Sequence, residues 1–153
     1  MNAKIRLKIP YQKQKNAHYC GPAVLEMAFL RLGLVMPQED IARQIGTSQE
    51  RGTENENMIR FATEQGFEVT AKRGSSISDI REMLKKDLPL IVNYIEPTDE
   101  DGHYAIVSGI TPHNIILHDP WHGKDFKLPH QKFLERWKDS EGKYVRWMMV
   151  IKK

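Results

Sequence analysis

The chain is poor in cysteine, in long apolar runs and in glycine-rich loops, and each shortage removes a class of function. A single cysteine, Cys20, among 153 residues permits no internal disulfide, which agrees with a reducing compartment. No apolar stretch approaches the roughly 18 residues of a membrane span, and the opening lacks the apolar segment of a secretory signal. A cytoplasmic location without a transmembrane segment is therefore expected. There is no phosphate-cradling loop and no dinucleotide fingerprint, so nucleotide chemistry has no support. The net charge of +3 comes from basic residues interleaved with acidic ones, and nucleic acid is not implied as a partner. Lys4, Arg6, Lys8, Lys13 and Lys15 are the exception, with no acidic residue before Glu26; they read as a solvated strand edge.

What is present suffices for one folded unit. The length predicts a single domain over 1–153, and an apolar fraction of 40% with three Trp, five Phe and five Tyr can fill its core. Helices come first. Residues 22–32 read as a buried central helix closed by Gly33, Pro37 opens a second over QEDIARQI, and residues 54–65 make a third. Residues 67–72 alternate as a half-buried strand, and Ser76 or Ser78 caps a helix through Ile80, Met83 and Leu84. Strands are then predicted over 88–94, 104–110, 114–118 and 144–151, with a tight turn at Thr111–Asn114 and a short helix from Pro129 to Trp137. Helices followed by a largely antiparallel sheet is the α+β arrangement.

Cys20 stands where a loop turns into a helix, with Gly21-Pro22 after it and Gln14 six residues before it. Free N–H groups and the helix dipole stabilise a thiolate at such a position, lowering a cysteine pKa from about 8.5 toward about 3.5–7.5. His103 opens one predicted strand and Asp119 ends the next, so the two side chains can meet. A carboxylate accepting the Nδ1–H of the imidazole would fix its tautomer and leave Nε2 facing the thiol. Gln14 and the backbone N–H of Cys20 would then serve a developing oxyanion. His118, His122 and His18 fit no specific zinc pattern, and no metal or other cofactor is expected.

The segments QKNAHYCGPA, GHYAIVSGI and LHDPWHG resemble cysteine peptidase family thirty-nine and its stand-alone relatives, papain-like enzymes that remove double-glycine leaders from bacteriocin precursors. The resemblance covers nearly the whole chain. It implies a papain-like fold, Cys20 as nucleophile, His103 as base, Asp119 as its orienting acid and Gln14 in the oxyanion hole. It further implies a peptide substrate cut after two small residues, with walls near Tyr104 and Trp121, and a separate peptide transporter as a partner. Many members carry an acidic residue before the nucleophile where this chain has Tyr19. Two other readings use the same residues: a peptide-binding module with little turnover, and an amidase or acyl-transfer enzyme working through the same acyl-enzyme.

Overall fold

The computed structural model describes residues 3–153. In chain order these form β1 (Ile5–Arg6), α1 (Cys20–Arg31), α2 (Gln38–Ile45), α3 (Asn55–Glu64), β2 (Glu68–Lys72), α4 (Ile77–Lys85), β3 (Leu90–Ile95), β4 (Gly102–Ile110), β5 (Asn114–Asp119), β6 (Gly123–Pro129), α5 (His130–Arg136) and β7 (Met148–Lys152). The strands make one sheet in the order β2-β7-β3-β4-β5-β6, with β1 also on β4. Every pairing is antiparallel, so the α+β arrangement holds.

The alternation of side chains along a strand divides the core in two. Ile91, Tyr104, Ile106, Met149 and Ile151 pack with α1, α2 and α3. Their sequence neighbours Leu90, Val92, Ala105, Val107, Met148 and Val150 pack on the other face with Ile80 and Leu84 of α4 and Phe133 of α5. Strands covered on both faces read as continuous apolar runs, which is why β3, β4 and β7 were plain in the sequence. Gly109 is needed where β1 joins: a Cβ there would lie 2.6 Å from the Ile5 carbonyl oxygen. The capping choice at α4 falls to Ser76, whose side chain and that of Asp79 cap each other's backbone.

Two stretches differ from expectation. The polar run Gly123–Pro129 forms β6, an edge strand on β5 that is largely uncovered and so lacks an apolar signature. The strand expected from 144 begins only at Met148. Arg146 has φ of +52°, which a ladder does not accommodate, and Val145 and Arg146 instead give their carbonyls to Gly74 and Ser75. This detour brings Tyr144 to the cleft described next.

Candidate active site

Cys20 is the first residue of α1, and neither a capping side chain nor an acidic residue occupies that end of the helix. The orphan N–H groups of the first turn and the positive end of the dipole are thus available to an anion. The helix is pressed tightly here. A Cβ on Gly21 would fall 2.5 Å from Thr53 Oγ1 and 2.6 Å from its Cβ, so any larger residue would displace the α1 terminus or the loop before α3. Half-buried Cys20 opens onto a cleft of about 770 Å³ whose wall also includes Thr53, Asn55, His103, Tyr104 and Tyr144. The rim carries Glu50, Glu54, Glu56, Asp139 and Glu141 against Arg51 and Lys143.

β4 and β5 bring His103 and Asp119 together. His103 Nε2 lies 2.8 Å from Asp119 Oδ1; the carboxylate can only accept, so this nitrogen carries the proton. The expected orientation is therefore reversed, because α1 approaches the ring from the Nδ1 side and leaves that nitrogen for the thiol. Asp119 has no solvent exposure, and its polar capacity is filled. Oδ1 also accepts the backbone N–H groups of Trp121 and His122 at 2.8 and 2.9 Å, and Oδ2 accepts the hydroxyl of Tyr94. Tyr94 sits directly across the ladder from His103. Nothing in the linear sequence marked Tyr94, since its role depends on the β3–β4 register. Tyr11 donates to the Asp119 carbonyl at 2.7 Å, tying the segment before Gln14 to the same turn.

These contacts set the charges. Burial opposes a thiolate at Cys20, but the hydrogen bond and charge of His103, with the Tyr104 backbone, prevail and hold its pKa below the ordinary thiol value. Burial likewise opposes the imidazolium, yet Asp119 and Cys20 raise His103 to about 10. Asp119 is desolvated as well, and its bonds from His103 and Tyr94 still keep it below the usual carboxylate range. A thiolate–imidazolium pair backed by an ionised carboxylate is the state these shifts favour.

Gln14 is buried, at 6% exposure. Its backbone N–H donates to the Pro120 carbonyl at 3.0 Å, its Nε2 donates to the Asn16 carbonyl at 2.8 Å, and its Oε1 has no partner among the described residues. One N–H of the amide remains uncommitted. Tyr104 lines the cleft but turns its hydroxyl inward to Asn55 Oδ1 and the Thr53 carbonyl, at 2.6 and 2.8 Å. Trp121 is 46% exposed and lies outside the lining of that cleft; its contact with the site is through its backbone.

A family model described as "Peptidase_C39 like family" matches residues 6–145. An uncharacterized protein of Methanothermobacter marburgensis is 30% identical over 112 residues, 73% of this chain and 72% of that one. Among solved structures, a C39-like protein from Bacillus anthracis superposes with a TM-score of 0.81 at 16% identity, over 99% of this chain and 98% of that one. The peptidase domain of Streptococcus ComA, a bi-functional ABC transporter involved in quorum sensing, gives 0.74 at 22% identity over 93% and 96%. A double glycine motif protease from an AMS/PCAT transporter, solved with its leader peptide, gives 0.74 at 24% over 96% and 93%. The fold is that of cysteine peptidase domains, and the chain belongs to the Peptidase_C39-like family.

Proposed function

We propose that this chain is a cysteine peptidase that hydrolyses a peptide bond with Cys20, His103, Asp119 and Gln14. The observation that carries the reading is the linear chain of contacts from the helix-borne thiol through His103 to a buried, fully bonded Asp119. The Cys20 thiolate attacks the scissile carbonyl carbon, and the negative charge moves to its oxygen. That oxygen is met by the Cys20 backbone N–H and the free N–H of Gln14. The His103 imidazolium gives its Nδ1 proton to the leaving amine as the C–N bond breaks. His103, now neutral, takes a proton from water as the water attacks the thioester, and the sulfur leaves to restore the starting pair. Asp119 holds the Nε2–H throughout and offsets the ring's charge.

For the substrate, the likeness to a double glycine motif protease bound to its leader peptide supports cleavage after a Gly-Gly junction. The same likeness supports a partnership with a separate peptide transporter. A set of peptides sharing one flanking sequence, with Gly-Gly replaced by Ala-Ala, Leu-Leu or Arg-Arg, tests the junction when product formation is followed by mass spectrometry. Gly-Gly should be cut at least about tenfold faster than the bulkier pairs, an effect of about 1.4 kcal/mol on kcat/KM. Equal rates would overturn the junction preference while leaving the peptidase reading in place. Absence of hydrolysis from every peptide, together with an unreactive thiol, would favour the binding module.

A further inference from the structure

Gln14 lies in a long stretch between β1 and α1 that has no regular secondary structure, so its backbone groups must find partners elsewhere in the fold. One side chain supplies them on both sides of Gln14. Gln38, the first residue of α2, is 1% exposed. Its Oε1 accepts the Lys15 backbone N–H at 3.1 Å, and its Nε2 donates to the Lys13 carbonyl at 2.8 Å. The second proton of that Nε2 goes to Glu26 Oε1 at 3.0 Å. Glu26 belongs to α1, the helix that begins with Cys20. The amide thus copies the pairing of a neighbouring strand, gripping residues 13 and 15, while the Gln14 N–H between them is held from the other direction by Pro120.

We infer that Gln38 is a positioning residue that fixes the oxyanion donor Gln14 relative to the nucleophile, by clamping the backbone on either side of Gln14 to the Cys20 helix. This rests on the peptidase reading for its catalytic consequence but not for its structural one. The arrangement has the directness such a role needs: a single buried side chain links the donor's segment to Glu26 on the nucleophile's helix. A donor displaced by about 1 Å from the developing charge loses on the order of a hundredfold in rate, so a clamp of this kind would be felt in the chemical step. Gln38 touches neither Cys20 nor His103 through any of its hydrogen bonds, so the reactivity of the thiol should be independent of it.

The test compares wild type, Q38M, Q14A and the double variant. Methionine keeps the length and removes all three hydrogen bonds; Q38N, too short to reach both backbone groups, serves if Q38M does not fold. Peptide hydrolysis is expected to lose about 10- to 100-fold in kcat with KM within about twofold. In the Q14A background the same substitution should cost less than about threefold, because there is no donor left to place. Iodoacetamide alkylation of Cys20 across pH should be unchanged. Amide exchange read by NMR supplies an answer that needs no turnover: the Lys15 and Gln14 N–H groups should exchange at least about tenfold faster in Q38M while those of α1 hold. Equal losses in the wild-type and Q14A backgrounds, a shifted alkylation profile, or unchanged exchange at Lys15 and Gln14 would each overturn the inference. An inactive wild type with the expected exchange result would refute the peptidase and keep the clamp.

Discussion

The two halves of the site are built differently. Asp119 and His103 rise from adjacent strands of the sheet, and the Asp119 carboxylate receives His103, Tyr94 and two backbone N–H groups while wholly buried. Gln14, by contrast, sits in an irregular segment, with one side-chain hydrogen bond and an Oε1 that has no partner among the described residues. A group that must hold a permanent charge away from water needs every lone pair satisfied. A group that meets charge only in the transition state must keep a donor free. In the proposed mechanism, the full network around Asp119 and the open one around Gln14 answer these two demands.

Substitutions should separate the halves, and the largest effect belongs to the sheet side. Asp119→Asn keeps the shape but can present an N–H to the ring and disturb its tautomer; hydrolysis should fall by about 10³- to 10⁴-fold, measured as kcat on a cleavable peptide. Gln14→Ala should cost about 10²–10³ in kcat while the alkylation rate of Cys20 stays within about twofold, since the thiol's partners are untouched. A shared loss of thiol reactivity in both variants would erase the distinction. Tyr94→Phe leaves one lobe of a buried carboxylate without its donor, which costs about 1–3 kcal/mol in stability by denaturant unfolding. It should also raise the pKa of Asp119, because the Tyr94 hydroxyl is one of the donors that hold this carboxylate below its usual range, and the acidic limb of the pH–rate profile should move to higher pH. Gly21→Ala should destabilise by about 1–3 kcal/mol through the contact with Thr53. The smallest effect is electrostatic: the acidic rim should favour Lys over Glu beside the scissile bond by a few-fold at low salt, and added salt should remove the preference.

Chemistry written in local words is legible in the sequence, and geometry that depends on how elements meet is not. Cys20 before Gly-Pro and His103 at the head of an apolar run announce themselves in a few residues. Tyr94 does not, because only the hairpin register sets it opposite His103. The ring nitrogen that faces Asp119 was read the wrong way round, since the side from which α1 reaches the imidazole belongs to the packing of helix on sheet. Likewise β6 hid behind its polar composition, and the apolar look of residues 144–147 concealed a turn with positive φ at Arg146.

The proposed mechanism stands on the activation of Cys20 by His103. The rate of iodoacetamide alkylation of Cys20 from pH 4 to 9, in the wild type and in His103→Ala, tests this over a range that lies mostly below the ordinary thiol pKa of about 8.5. The wild-type thiol should stay reactive below that value, because His103 holds the thiolate. Removing the ring leaves burial and the Asp119 charge, which raise the thiol pKa, against the Tyr104 backbone bond alone, which lowers it, so reactivity below the ordinary value should be lost in the variant. Superimposable profiles, each with one inflection near the ordinary thiol value, would contradict it.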